Sequence, residues 1–209
     1  LLVSTLILYL ACAAPAPAPS PTPTPTPAPT VRLTAKEAYD IALNHAAAKY
    51  GDVYLSDLTA GYATIYRGRP RYLAEGRSDE WSAIFKKSTV PQEYTMIFTT
   101  VENGEITRSS EGDPLSFSGT WEDRLPYETL NVEVWNIDSP EALKIAEEAG
   151  GAEFTLLMFT LSGTVEYPRW RIIFGPSTME KGKHPGLEVE INATSGEVIK
   201  TKTKTFKIS

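Results

Sequence analysis

Apolar residues recur three and four positions apart in two stretches of the chain, the spacing that places them on one side of an α-helix. Each stretch opens with a sequence suited to capping a helix, Thr34-Ala-Lys-Glu37 or Asp138-Ser-Pro-Glu141. Glycine follows each stretch, at Gly51 and at Gly150-Gly151. The apolar positions are Ala38, Ile41 and Ala42, and then Ala142, Ile145 and Ala146. The pattern predicts one amphipathic helix in each half.

Two tryptophans stand in stretches where apolar residues alternate with others, as in a β-strand with one buried face. The first stretch runs Trp81-x-x-Ile84-Phe85 and the second Trp170-x-x-Ile173-Phe174. The apolar faces are formed by Trp81, Ala83 and Phe85, and by Trp170, Ile172 and Phe174. We expect each face to meet the helix of its own half. Asn103-Gly104 and Ser195-Gly196 supply the positive φ of tight turns and predict a hairpin after each strand.

These landmarks recur in the same order, at offsets of 104 residues for the helix, 89 for the tryptophan strand and 92 for the turn. Ordered recurrence favours a duplication with loops of different length, while two unrelated α+β segments are the alternative. The sequence thus predicts an α+β fold of two tandem units, residues 31–130 and 131–209. Each unit would be a helix packed on an antiparallel β-sheet.

A possible binding face follows from the alternation in Leu187-Glu-Val-Glu-Ile191. Glu188 and Glu190 point away from the helix, where Arg171 and Lys200 of neighbouring strands can approach them. We therefore expect that no helix covers one side of the second sheet, which is either a solvent-exposed surface without a partner or a docking surface. The stripe Lys200, Lys202 and Lys204 is typical of an edge strand protected by charge, and membrane contact is the alternative.

The first 31 residues contain no charge. Leu1 to Ala11 is an apolar run, shorter than the roughly 20 residues of a membrane-spanning helix, and predicts a signal peptide whose start is missing. Cys12, the single cysteine, follows it directly. The surroundings resemble the lipobox of bacterial lipoproteins, although Tyr9 stands where that motif has Leu, Val or Ile. The resemblance implies acylation of Cys12, and an ordinary cleaved signal is the alternative.

Residues 12–30 are predicted to be the lipidated cysteine and a linker rich in Pro, Thr and Ala. Proline occupies every second position from Pro15 to Pro29, which excludes helix and sheet and favours an extended polyproline II stalk. At about 3.1 Å per residue, Ala13 to Thr30 would reach roughly 55 Å. The predicted location of the protein is outside the cytoplasm, anchored to the cell membrane. If Cys12 is not acylated, the protein is predicted to be secreted.

Composition removes several function classes. The 209 residues carry 20 Lys and Arg against 26 Asp and Glu, a net charge of -6, which argues against nucleic-acid binding. One Cys and two His cannot make a four-ligand Cys/His zinc site or an intramolecular disulfide, and we predict no metal or cofactor.

Catalytic patterns are not evident. His45 lies at the edge of the first apolar stripe, and His184 is expected in a turn-rich loop. The acidic doublets Asp79-Glu80 and Glu122-Asp123 are interpreted as solvated surface. We therefore predict that the protein is not an enzyme.

Several short motifs of the second half resemble the PepSY and PepSY-like family. They are Ser139-Pro-Glu-Ala-Leu-Lys-Ile-Ala, Gly150-Gly151, Trp170-Arg-Ile-Ile and the strand sequence from Leu187 to Ile199. PepSY units are small helix-plus-antiparallel-sheet modules, often in tandem in exported bacterial proteins. They also occur in propeptides of thermolysin-like enzymes, so the resemblance implies a secreted or surface peptidase as partner.

The function predicted is an exported, membrane-tethered, non-catalytic binding module that binds or inhibits an extracytoplasmic peptidase. The alternative is a lipoprotein that binds a ligand or another envelope component, with no peptidase connection. Exposed aromatic residues clustered in a concave pocket would favour a small ligand. The aromatic candidates are Tyr62, Tyr66, Tyr72, Trp121 and Trp135.

Overall fold

The computed structural model describes residues 30–61, 73–87, 95–112, 129–163, 166–176 and 181–208. Within them the fold is built from two α-helices, ten strands and two single-turn 3-10 helices, Val132–Val134 and Gly151–Glu153. The helices are α1 (Ala35–Tyr50) and α2 (Ser139–Glu148). The strands are β1 (Tyr54–Ala60), β2 (Leu73–Ala74), β3 (Arg77–Ser78), β4 (Glu80–Lys86), β5 (Met96–Glu102), β6 (Glu105–Gly112), β7 (Thr155–Gly163), β8 (Pro168–Gly175), β9 (Gly182–Asn192) and β10 (Val198–Ile208).

Eight strands form one antiparallel sheet in the order β10-β9-β8-β7-β1-β4-β5-β6, and β2 and β3 pair separately as a small hairpin. The first strands of the two halves meet in the middle of the sheet, where Thr59 of β1 is opposite Thr160 of β7. On either side of this seam the remaining strands follow in chain order. The seam makes one continuous sheet of the two halves.

The prediction of two tandem helix-on-sheet units is therefore wrong, and the fold is mainly β. A four-stranded half by itself would leave β1 or β7 with an unpaired backbone edge, and the β1–β7 pairing removes both edges. The core also crosses from one half to the other. Tyr39 of α1 packs edge-on against Trp135 with ring centroids 5.9 Å apart. The rings of Trp81 and Phe159 also pack together, with centroids 6.2 Å apart.

Helix α1 begins at the predicted capping box. The Thr34 hydroxyl accepts a hydrogen bond from the Glu37 amide at 3.3 Å, and the Glu37 carboxylate accepts one from the Thr34 amide at 2.8 Å. Gly51 ends the helix at φ 85°. The side of α1 that faces the sheet is made of alanines, which let the helix lie close to the bulky strand residues. They are Ala35, Ala38, Ala42 and Ala46.

Each half anchors its tryptophan to the entrance of its helix. The Trp81 indole N–H donates to the carbonyl of Leu33 at 3.0 Å, and the Trp170 indole N–H donates to the carbonyl of Ile137 at 2.8 Å. Leu33 and Ile137 each come one residue before a helix N-cap. The predicted apolar faces of these strands do meet the helices, since both tryptophans are buried in the same core.

The N-termini of the two helices are joined by hydrogen bonds. The Ser139 hydroxyl accepts from the Ala35 amide at 2.9 Å, and the Asp138 carboxylate accepts from the Lys36 amide at 3.1 Å. Asp138 also accepts from the Ser139 amide at 2.7 Å. The cap residue of α2 thus satisfies amides in the first turn of both helices, which the sequence pattern of α2 alone did not predict.

Candidate binding surface

The predicted binding face lies on the side of the sheet opposite the two helices. Trp170 and Ile172 of β8 and Val189 and Ile191 of β9 belong to the helix-side core, so the residues that alternate with them point the other way. We call this set the charged face. It consists of Arg169, Arg171, Glu188, Glu190, Lys200, Lys202 and Lys204.

All four residues predicted for the binding face belong to this surface. Arg171 of β8 is opposite Glu190 of β9, and Glu190 is opposite Lys200 of β10. Glu188 stands two residues before Glu190 and is opposite Lys202. The structure therefore brings the four residues together on three adjacent strands, and their use in binding stays a prediction.

The ion pairs of the charged face run diagonally between strands. The Glu188 carboxylate lies 3.1 Å from Arg171 Nη2 and 2.7 Å from Lys204 Nζ, and its side chain is 7% exposed. Glu190 has a looser pair, 4.0 Å from Arg169. Sequence reasoning missed Arg169 and named Lys204 only as part of the edge strand, although the alternation around Trp170 and along β10 contained the signal for both.

The Glu188 carboxyl is held in its charged form. Burial by itself would raise the pKa of this group, but the hydrogen bond and charge of Lys204 and the charge of Arg171 outweigh burial. The pKa of Glu188 therefore lies below its ordinary value of 4.5. At neutral pH this carboxylate accepts hydrogen bonds and does not donate a proton.

We expect Glu188→Gln to reduce the acid sensitivity of the protein. Because the folded-state pKa is lowered, the native ion pairs stabilise the fold above the ordinary value of 4.5, and this contribution is lost as pH falls through the folded-state pKa. The free energy of unfolding in urea, measured from pH 7 down to acid pH, should fall less steeply in the variant. Glu190→Gln is the matched control and should change the slope less. Parallel curves for wild type and Glu188→Gln would contradict the assignment.

This side of the sheet has buried residues on β5, β7 and β8, whereas most of β10 is exposed. Met96, Met158 and Ile173, on the same side as the charged face, are buried. Residues 198–203 of β10 are all exposed. β10 lies at the end of the strand order, which confirms the edge strand predicted from Lys200, Lys202 and Lys204.

Other candidate residues have different surroundings. Trp135 is 4% exposed and packs against Trp170 with ring centroids 6.0 Å apart, so it is a core residue and does not line a ligand pocket. Asp79 and Glu80 are half-buried rather than fully solvated. Several candidates lie outside the described residues: Cys12, Tyr62, Tyr66, Tyr72, Trp121, Glu122 and Asp123.

His184 lies in β9, opposite Phe206, and the expectation of a loop there is wrong. The sequence Lys181-Gly-Lys-His-Pro-Gly suggested turns, but the long β10 supplies a strand partner for it. Pro185 is tolerated because β8 pairs with β9 only from Leu187 onward, so this part of β9 is bonded on one side.

Within the described ranges, no group of three or more His, Cys, Asp or Glu side chains is arranged to hold a metal ion. In the same part of the chain, no helix has the length and apolar character needed to cross a membrane.

The fold and this surface define a class of protein: a mainly β protein with one broad antiparallel sheet, two helices on one side and a charged surface on the other. The chain is similar in fold to a crystal structure of a "putative lipoprotein" from Clostridium difficile 630. The TM-score is 0.50 at 13% identity, over 80% of this chain and 93% of that one. No family model and no curated protein matches the sequence, so the PepSY resemblance rests on its short motifs alone.

Proposed function

We propose that this chain is an exported, membrane-tethered, non-catalytic protein that binds a partner outside the cytoplasm through its charged face. The observation that carries the proposal is a charged sheet surface, free of any described helix, in a chain whose first 30 residues read as signal peptide, Cys12 and stalk. Acylation of Cys12 would anchor the protein. A stalk of about 55 Å would hold the sheet away from the lipid surface.

Fold likeness gives this location modest support. The Clostridium difficile protein is described as a "putative lipoprotein", and the likeness in fold covers 80% of this chain and 93% of that one. Independently, the order of apolar run, Cys12 and proline-rich stretch is the order that a surface lipoprotein requires.

The chemistry of Glu188 does not suit general acid catalysis at the charged face. General acid catalysis by a carboxyl group needs a pKa raised towards neutrality. The pKa of Glu188 is shifted in the opposite direction, and its carboxylate is already paired with Arg171 and Lys204. Glu188 is therefore not a general acid, which agrees with a role of the charged face in binding.

The kind of partner separates the two forms of the proposal. A peptidase is implied by the PepSY resemblance alone, and no described contact adds to it. Trp135, one of the aromatic candidates for binding a small ligand, lies in the core and cannot contribute to such a site. A protein or other envelope component meeting the charged face is the form that the geometry favours, and a peptidase is one partner that the experiment below can reveal.

The experiment uses the protein expressed from its natural gene in a bacterial host that processes lipoproteins. We expect the wild type in the membrane fraction, with an acylated N-terminal peptide at Cys12 by mass spectrometry, and Cys12→Ser in the medium. A photo-crosslinking residue at Lys202 should then join a partner at the cell surface. The same residue at Lys144, exposed on α2, is the matched control.

Three results would contradict the proposal. Equal distribution of wild type and Cys12→Ser between membrane and medium would contradict anchoring of the protein through Cys12. Equal crosslinking from Lys144 and Lys202 would contradict docking of the partner on the charged face. Retention of the protein in the cytoplasm would remove export.

A further inference from the structure

The outer side of β10 is an unusually long free edge. This strand runs over 11 residues and pairs with β9 from Val198 opposite Ile191 to Ile208 opposite Gly182. Within the described ranges, no strand pairs with its other side. Every second residue of an edge strand directs its backbone N–H and C=O outward, where they can bond a further strand.

Both faces of this strand are regular. Lys200, Lys202 and Lys204 follow one another on the charged face, and threonines 201, 203 and 205 alternate with them on the opposite side. Apart from Lys204 these residues are exposed. An incoming strand would therefore meet a row of ammonium groups on one face and a row of small hydroxyl side chains on the other.

Strand β9 shows which sequence suits β10. Glu188 and Glu190 of β9 are opposite Lys202 and Lys200. In addition, Lys204 Nζ lies 2.7 Å from the Glu188 carboxylate. On the inner side, β10 thus pairs with a strand that carries acidic residues at alternate positions. Among the described residues, neither Lys200 nor Lys202 forms an ion pair, so both ammonium groups are available to a second acidic strand.

A second copy of the chain fits this edge poorly. Pairing β10 with β10 would bring two rows of lysines together, and like charges on opposite strands are destabilising. The other edge of the sheet, β6, carries both Arg108 and Glu105 on the face opposite the helices, so it presents mixed charge and not acidic residues at alternate positions. The segment 181–208 has six lysines and three glutamates in a chain of net charge -6, so the edge is basic within an acidic protein. Charge complementarity selects an acidic partner.

We propose that the outer edge of β10 docks an extended segment of a partner protein that carries Asp or Glu at alternate positions, so that the segment becomes a ninth strand. Backbone hydrogen bonds to β10 supply the registration, and the acidic side chains contact Lys200 and Lys202. The inference rests on the proposed binding function and names the chemistry of the partner.

The test uses the full chain with Cys12→Ser and a synthetic peptide of the β9 sequence Gly-Leu-Glu-Val-Glu-Ile-Asn. We expect saturable binding in titration, weakened about ten-fold when both peptide glutamates are replaced by glutamine. The double variant Lys200→Gln and Lys202→Gln should weaken it by a similar factor. Lys144→Gln is the control for lost charge and should bind normally. All three chains should keep the same unfolding midpoint in urea.

N-methylated peptides separate strand addition from a charge contact. Methylation of alternate amides blocks one hydrogen-bonding edge of the peptide, so one methylated set should abolish binding and the other should leave it. Absent binding, equal binding of the glutamine peptide, or equal effects of both methylated sets would overturn the proposal. So would lysine-dependent binding of phosphatidylglycerol vesicles without binding of the peptide. None of these results would alter the anchoring or crosslinking outcomes that test the proposed function.

Discussion

Replacing Trp170 by alanine is expected to lower the free energy of unfolding by about 3–5 kcal/mol, the range for a large aromatic side chain deleted from a packed core. Trp170 is fully buried and packs edge-on against Trp135 and Phe159, with ring centroids 6.0 and 6.1 Å away. Its indole N–H also donates to the Ile137 carbonyl at 2.8 Å. Urea unfolding followed by circular dichroism measures the loss.

The number of unfolding transitions tests whether the two halves share one core. Because aromatic contacts run from α1 through Trp135 and Trp170 to Phe159, we expect one cooperative transition that shifts as a whole. Trp170→Phe is the matched variant, which keeps most of the ring and loses the hydrogen bond, and should be clearly less destabilising. Two transitions, of which only one moves in Trp170→Ala, would show that the halves fold independently and would contradict the shared core.

Gly76→Ala is expected to destabilise the protein by about 2–4 kcal/mol. Gly76 has φ 71° and connects β2 and β3. A Cβ atom there would lie 2.3 Å from Pro140 Cα and 2.6 Å from the Ser139 carbonyl oxygen. Both are backbone atoms at the start of α2, so the hairpin would have to move away from the helix. The urea midpoint measures the effect.

Gly104→Ala is a control with the same kind of positive φ in a two-residue hairpin turn and no steric conflict. Its φ is 83°, and an added Cβ would lie 3.7 Å from Val31 Cγ1, which is an ordinary van der Waals distance. The cost there should be close to the conformational term alone, about 1–2 kcal/mol. Equal destabilisation by the two substitutions would mean that the hairpin does not pack tightly on α2.

The two variants probe the common apolar core and a direct contact between the halves of the chain. Trp170 lies under the helices, within the apolar core. Gly76 lies where a hairpin of the first half meets the N-terminus of the second helix, close to the hydrogen bond from the Ala35 amide to Ser139. A single transition that shifts as a whole in Trp170→Ala, together with a loss of stability in Gly76→Ala, would show that the halves depend on one another for stability.

The candidate surface was partly predictable. Alternation alone placed Arg171, Glu188, Glu190 and Lys200 on one face, because neighbouring side chains of a strand point to opposite sides whatever else the chain does. The diagonal contact of Lys204 with Glu188 depends on register and on long flexible side chains, which alternation does not specify. The location of His184 within β9 likewise required the partner strand, since its local sequence favours turns.

The sequence by itself determined where the two helices begin, the apolar faces of the tryptophan strands and the hairpin turns, because each depends on residues a few positions apart. Only the tertiary structure decided that β1 and β7 pair and make one sheet of eight strands. That pairing is made by backbone amides and carbonyls, which every residue except proline carries alike, so it leaves no distinctive side-chain pattern to read.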